Sequence, residues 1–429
     1  MPEFKTVRGM RDFLPEETRM MKYIENKARN VAESFGYQEI MTPLVESYEL
    51  LATKAGEEVR LRMFAFKDLG GRMVALRPEF TPSIARVVAT TLRNEPRPLR
   101  LFCVGSLYRY DEPQRGRYRE FWQSNFELIG SGRPEADAEV LMVTSSLMDR
   151  VGLKDCVFKI GHVGVLRGVL IDEGLDDKAQ NAVLQLMDKK QYDDSLRLVK
   201  DSGASEKCLT VLRNLVELRG EDVCQTVTKM KKYVEAYEKA VAAVENLNEI
   251  LRLVLESGCK IGMRVEAGFA RGLEYYTGLI FEVYVPELDV ALSGGGRYDK
   301  LVELFGGEPA PAVGVANGAD RIMLAMQGQK VTLKETVEKK VMVISVGDET
   351  KAEALRISRI LKGARTAVEF EVMGRKMSKA LEDADRRKID YAVIVGKKEL
   401  EQGKVVLKDL KRREQTTIRI EELPETLKS

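Results

Sequence analysis

The chain has 429 residues, 44% of them hydrophobic and 32% charged, with a net charge of +2. That length allows two or three domains with separate cores, and that much apolar material excludes a disordered chain. The near-neutral total excludes a basic field over the whole surface, and no run of about 18 uncharged apolar residues exists to span a membrane.

The N-terminal MPEFKTVRGMRDFLPEE carries charges of both signs and no apolar segment, which argues against a signal peptide and for a cytoplasmic protein. Residues 16–35 repeat Met20, Ile24, Ala28, Val31 and Phe35 at spacings of three and four, between Pro15 and Gly36. An amphipathic helix is expected there. YQEIMTPLVE then reads as a strand ending near Pro43. Residues 101–130 alternate with period two around a charged loop, the pattern of a long antiparallel hairpin. The single histidine, His162, lies in KIGHVGVL, an apolar strand-to-turn segment in which a structural role outweighs a chemical one.

Residues 173–257 are read as an all-helical insertion. Their last part places Tyr237, Val241, Val244, Leu247, Leu251 and Val254 on one face. Strand-like sequence resumes near Gly262 and runs to Met326, and residues 327–338 form a polar linker. Beyond it VMVISVG, TAVEFEVM and YAVIVG alternate with helical patterns at 351–362 and 378–387, which suggests a small α/β domain with a mostly parallel core. Residues 339–429 hold 22 basic and 16 acidic side chains against 47 and 51 in the remainder. That bias is compatible with a nucleic-acid partner. Five widely spaced cysteines without a CxxC pair (Cys103, Cys156, Cys208, Cys224, Cys259) fit reduced thiols. No protein metal ligands are expected.

Along FWQSNFEL, Trp122, Phe126 and Leu128 fall on one side, broken by Ser124, while Gln123, Asn125 and Glu127 fall on the other. The hairpin is thus a half-buried sheet with a wet side or the floor of a polar site. Arg109 ends the first strand, and the loop DEPQRGRYRE places Gln114, Arg115, Arg117 and Arg119 around a flexible Gly116, suited to phosphate or base contact. Downstream, AGFARGLEYYTGLIFEVY reads as a turn at Arg271 feeding an aromatic strand, and SGGGRYDKL as a glycine turn. In PAVGVANGADRI, small residues precede Arg321 at a helix start, where a flat nucleotide could lie close to the backbone.

YRYDEPQRGRYREFWQ resembles motif 2 of class II aminoacyl-tRNA synthetases, and RGLEYYTG with GGGRYD is similar to signatures of their histidine-specific branch, the histidyl-tRNA synthetase family. The resemblance implies an α/β (α+β) chain. A class II antiparallel-sheet catalytic domain would span 1–326 with the helical insertion at about 173–257, and residues 339–429 would form an α/β anticodon-binding domain. It implies ATP-driven activation of L-histidine and transfer to tRNA(His), with Mg²⁺ on the phosphates. Arg109 and Arg271 would hold the α-phosphate and Arg321 the γ-phosphate. Tyr275, Tyr276 and Tyr298 would line the imidazole pocket, Glu127 and Tyr276 would bind the ring, and Glu79, Thr81 and Gln123 the ammonium. Gln114, Arg115, Arg117 and Arg119 would reach the tRNA acceptor end. The N-terminal helix and strand look like motif 1, which implies a homodimer. PAVGVANGADRI resembles motif 3, with Asp320 where that pattern has glutamate, and RPEFTP at 77–82 resembles the ammonium-binding segment, with Phe80 where many relatives carry glycine. The rival reading is the synthetase-like regulatory subunit of ATP phosphoribosyltransferase. That family generally lacks the C-terminal domain and the full catalytic set.

Overall fold

The computed structural model describes residues 4–53, 55–271, 274–333, 339–362 and 366–428. It divides into two compact units, Met1–Val331 and Thr332–Ser429. Of the expected linker, residues 327 and 328 end the helix Ala319–Gly328, and 334–338 lie outside the described residues.

In the first unit the predicted amphipathic helix spans Pro15–Ser34, with proline in its first turn, and buries Ile24, Ala28 and Val31. Gly36 follows at φ +76°, the left-handed conformation that ends helices without a Cβ clash. YQEIMTPLVE is not one strand. It contributes β1 (Gln38–Glu39) and β2 (Val45–Ser47), which lie in different sheets. Between them Pro43 lacks a donor, and the carbonyl of Thr42 turns to accept from Arg77 at 2.7 Å. With β3 (Ala65–Lys67) and β4 (Met73–Leu76), β2 makes a small antiparallel sheet in the order β2-β4-β3.

The hairpin is present as β5 (Leu99–Tyr108) and β6 (Glu120–Ile129). Also in this unit are β7 (Val157–His162), β8 (Arg219–Gly220), β9 (Gly262–Glu266), β10 (Leu279–Val285), β11 (Leu288–Arg297) and β12 (Ala312–Gly318). Among the described residues, nine strands form one mixed sheet in the order β1-β5-β6-β12-β11-β10-β7-β9-β8. SGGGR, with Tyr298 following the strand end, is therefore strand and not a turn. Its glycines serve register: Gly314 of β12 stands opposite Glu127 and Ala316 opposite Asn125, while Gly294 and Gly296 of β11 follow on the same rows. A Cβ at Gly314 would overlap the Glu127 carboxylate, and one at Gly294 the Arg271 guanidinium. Glycine weakens a strand by about 0.5–1 kcal/mol relative to alanine. Here it leaves the space into which the polar side chains rise.

Residues 173–257 are mainly helical but not wholly so. The helices Asp177–Asp188, Glu206–Glu217 and Val223–Tyr233 are capped by Asp176, Ser205 and Asp222. The two residues of β8 then join β9 at the edge of the large sheet. The last helix, Glu238–Glu256, buries Val244, Leu247, Leu251 and Val254 as its spacing indicates. It packs on the helices Pro134–Arg150 and Val163–Asp172. The latter replaces the expected turn after His162. A Cβ at Gly168 would strike the backbone of Ala240, so the glycine that disguises this helix in the sequence lets two helices meet closely.

The second unit has β13 (Lys339–Ser345), β14 (Thr366–Phe370) and β15 (Tyr391–Val395) in parallel, flanked by helices Lys351–Leu361 and Met377–Arg386. Two apolar clusters, one around Val343, Ile357 and Leu423 and one around Ile344, Ala380 and Ala392, form its interior. The sequence reading missed the antiparallel extension, β16 (Lys404–Asp409) and β17 (Glu414–Arg419). In β17 five of six residues are exposed, so an edge strand wet on both faces leaves no hydrophobic alternation to read.

Candidate active site

The nine-stranded sheet floors a cavity of ≈ 360 Å³, and all ten side chains predicted for ATP and amino-acid binding line it. The predicted wet side of β6 is in fact deeply buried. Glu127, 1% exposed, accepts from Thr81 Oγ1 at 2.9 Å, from Asn125 Nδ2 at 3.1 Å, and from the Tyr298 hydroxyl. Burial pushes its carboxyl up to about 7 in spite of those three donors. Thr81 begins the helix Thr81–Ala89, so the first turn of that helix meets the sheet at Glu127.

Glu79 lies beside it, also raised by burial, an effect that Arg109 opposes. Its Oε2 accepts from the Tyr275 hydroxyl at 3.1 Å. Glu79 Oε1, Gln123 Oε1 and Asn125 Oδ1 are buried with no hydrogen-bond partner among the described residues. Three unsatisfied acceptors at one polar floor suit a ligand rich in N–H donors, since an unpaired buried acceptor costs about 1–3 kcal/mol.

Above this floor stand cations. Arg109 donates to the carbonyl of Pro78 at 3.0 Å, Arg271 to that of Phe281 at 3.1 Å, and Arg321 to those of Gly116 and Ala291 at 3.2 and 2.7 Å. Among the described residues none of the three is in a salt bridge. Burial, then the nearby charges of Arg117 and Arg109, hold the Arg321 guanidinium below its usual value. Carbonyls orient these guanidinia. Glu282 and Asp188 act on Arg271, and Glu79 lies in the field of Arg109, but no carboxylate is in ion-pair contact with any of the three among the described residues, so the cluster suits a polyanionic ligand. Arg271 also lies 5.4 Å from the Tyr276 ring. The two tyrosines sit in the turn before β10 and not on a strand, with ring centroids 4.9 Å apart and Tyr275 a further 5.9 Å from Tyr298.

The motif 2 loop divides. Gln114 and Arg115 are exposed, with Gln114 bridging to Arg117 at the loop tip, and Arg117 lines the cavity. Arg119 does not belong to a tRNA surface. It is 5% exposed, donates to the carbonyls of Asp111 and Arg8, and lies 3.6 Å from the Tyr110 ring centroid. Spacing hides this, because the three arginines alternate alike in the sequence. Gly116, at φ +76°, turns the chain between Arg115 and the other two, and contacts distant in sequence then set each apart. Sequence reasoning also missed Phe121, which lines the cavity with Arg109 5.4 Å from its ring. A period-two reading from Gln123 back to Phe121 would have placed it on the site face. Asp188 and Glu282 line the same cavity and had no local signal.

His162 is structural in its contacts. Its Nε2 meets Asn246 Oδ1 at 3.1 Å, and burial pushes it down to about 4, so it is neutral at pH 7. The five cysteines are free thiols. Among the described residues no three His, Cys, Asp or Glu side chains could together hold a metal ion, and no helix is long and apolar enough to cross a membrane.

Residues 9–322 match the family model "Histidyl-tRNA synthetase", and residues 340–429 match "Anticodon binding domain". The chain is 41% identical over 422 residues to the histidine–tRNA ligase of Methanocaldococcus jannaschii, covering 98% of each chain. Among solved structures, it resembles the apo histidyl-tRNA synthetase of S. aureus at 25% identity and TM-score 0.75, covering all of both chains. It also resembles a Bacillus halodurans protein described as an ATP phosphoribosyltransferase regulatory subunit/histidyl-tRNA synthetase, at 28% identity and TM-score 0.76, covering 89% of this chain and 97% of that one.

Proposed function

Because the chain belongs to the histidyl-tRNA synthetase family and acts as a histidine–tRNA ligase, we propose that the ≈ 360 Å³ cavity is where histidine and ATP react. The observation that carries this is the convergence of Arg109, Arg271 and Arg321 over a buried floor of unsatisfied acceptors. One wall suits phosphates and the other suits an ammonium and a ring N–H.

Activation forms a bond from histidine's carboxylate oxygen to the α-phosphorus of ATP and breaks the bond to the departing pyrophosphate. Transfer then joins the terminal ribose oxygen of tRNA to the histidyl carbonyl and releases AMP. Neither step calls for a protein nucleophile; what matters is placement and charge. In this reading Arg109 and Arg271 grip the α-phosphate, Arg321 the γ-phosphate, and Phe121 gives the flat base an apolar face. Glu79, Thr81 and Gln123 take the ammonium. Glu127 and Tyr276 take the ring, with Tyr275 and Tyr298 as its walls. A site that pairs both ring nitrogens rejects apolar amino acids strongly, because their entry leaves those groups unpaired. Among the described residues no three ligating side chains could together cage Mg²⁺. That ion would sit on the nucleotide phosphates, where it would offset their charge.

The anticodon-binding domain, which the regulatory-subunit reading generally lacks, is present here. We place Arg115 and Arg117 at the acceptor end of the tRNA and the protein in the cytoplasm. The homodimer rests on motif 1 and on apolar side chains left exposed on and beside the small sheet, including Met41 at 90%, Phe66 and Met73.

The test is single-turnover adenylate formation in Arg271→Ala and Arg271→Lys. Loss of one preorganised donor costs on the order of 10²–10³ in rate, and lysine keeps the charge without the fork. We expect alanine to lose at least 10²-fold with an unchanged melting temperature, and lysine to lose less. Near-normal turnover in Arg271→Ala would remove this cavity from the reaction.

A further inference from the structure

Residues 4–14 have neither helix nor strand, yet they are pinned to the motif 2 hairpin. The Arg119 backbone N–H donates to the carbonyl of Gly9 at 2.9 Å. Arg11, two residues on, has a side chain 20% exposed and pairs with Asp320, whose own side chain is 4% exposed. The other oxygen of Asp320 accepts from the Trp122 backbone N–H at 2.7 Å. The Arg11 guanidinium also lies 3.7 Å from the Tyr118 ring centroid and 4.4 Å from that of Phe13. Phe13 in turn meets Trp122 edge-on at 5.1 Å.

Arg11 does not line the cavity, but Tyr118, Trp122 and Asp320 do. Each belongs to a different element: the motif 2 loop, β6, and the helix Ala319–Gly328 that carries Arg321. Trp122 sits between Phe121 and Gln123, and Asp320 immediately precedes Arg321. One guanidinium therefore ties together three elements whose other ends reach the nucleotide side of the cavity. That junction uses one charged donor, Arg11 Nη2, on Asp320, together with a flat cation lying over the Tyr118 and Phe13 rings, while Arg11 Nε is buried with no partner among the described residues.

We propose that Arg11 is a positioning residue for ATP, holding Asp320, Tyr118 and Trp122 so that Arg321 and Phe121 face the nucleotide. It rests on the reading of the cavity as the activation site. This assigns a role to the departure from glutamate at 320: the shorter aspartate is reached by an arginine from the N-terminal segment while it still holds the β6 backbone.

The experiment is pyrophosphate exchange by the full-length protein, with ATP and histidine varied separately and melting temperatures recorded, for Arg11→Met, Arg11→Lys and Arg11→Met/Asp320→Asn. A buried charge-assisted hydrogen bond is worth about 1.5–3 kcal/mol, or roughly 10–100-fold. Arg11→Met is expected to lower kcat/KM for ATP about 10-fold or more while the KM for histidine moves less than about threefold. Lysine should recover part of the loss. The Asp320→Asn change in the double variant should recover part as well, because it leaves no unpaired carboxylate and still accepts from Trp122. Unchanged ATP kinetics in Arg11→Met would overturn the proposal. So would equal losses toward both substrates that follow the melting temperature in all three variants. Should Arg11→Met fail to fold, the same comparison in Arg11→Lys decides the matter. Arg321→Ala, measured alongside, separates the two readings: if it too leaves exchange intact, the cavity assignment falls, and not merely the role of Arg11.

Discussion

At the scale of single residues, the least expected property is the state of Glu127. It lies in a polar pocket, but burial outweighs its three donors and lifts it to about 7. A carboxyl raised in the folded state makes folding favour its protonated form. The contribution is fully present below the unfolded value near 4.5 and is lost as pH rises to about 7. The loss is about 3 kcal/mol. Glu127→Gln, which cannot ionise, should therefore gain melting temperature relative to the parent on going from pH 5 to pH 8, in the absence of ligand. A constant difference across that range would mean that Glu127 is already ionised at pH 5. The same substitution should weaken histidine binding, measured by calorimetry, because the acceptor for a ring N–H becomes an amide.

At the scale of elements, the hairpin and the glycine strand beside it make the site together. Gly314 faces Glu127 across β12 and β6, where a Cβ would overlap the carboxylate. Gly314→Ala is expected to raise the KM for histidine at least about 10-fold, with overpacking costing about 1–3 kcal/mol of stability. A normal KM would show that Glu127 can move without consequence. The motif 2 loop gives its arginines different surroundings. Arg119→Ala removes a buried guanidinium from two carbonyls and the Tyr110 ring, so the melting temperature should fall by several degrees. Arg115→Ala, on an exposed residue, should leave stability and activation unchanged. It should weaken tRNA binding and lower its salt dependence by about one phosphate contact. Equal melting temperatures for the two variants would contradict the buried role of Arg119.

At the scale of the whole molecule, the two compact units are expected to carry separable tasks. Every residue proposed for histidine and ATP lies within Met1–Val331, while residues 340–429 match the anticodon-binding family. A protein ending at residue 331 is expected to retain pyrophosphate exchange and to lose most transfer to tRNA. Exchange abolished in a truncated chain that still melts cooperatively would refute that division. Light scattering at micromolar concentration tests the dimer, and a monomer at physiological salt would refute it.

Local chemistry determined much of this without any coordinates. Spacing marked the helix Pro15–Ser34 and alternation marked β5 and β6 with their polar face, properties of neighbours along the chain where 3.6- and 2-residue periods leave their mark. The resemblance to the family's motifs, not periodicity, named ten of the side chains that line the cavity. Tertiary contact, through strand pairing and through side chains, decided the rest. It made GGG a strand opposite Glu127's neighbour β12, brought Asp320 against Arg11 and Trp122, turned Arg119 inward, and joined β8 to a sheet from within a helical insertion. Such contacts join residues as far as 309 positions apart. Register and burial set them, and neither is encoded in the residues on either side.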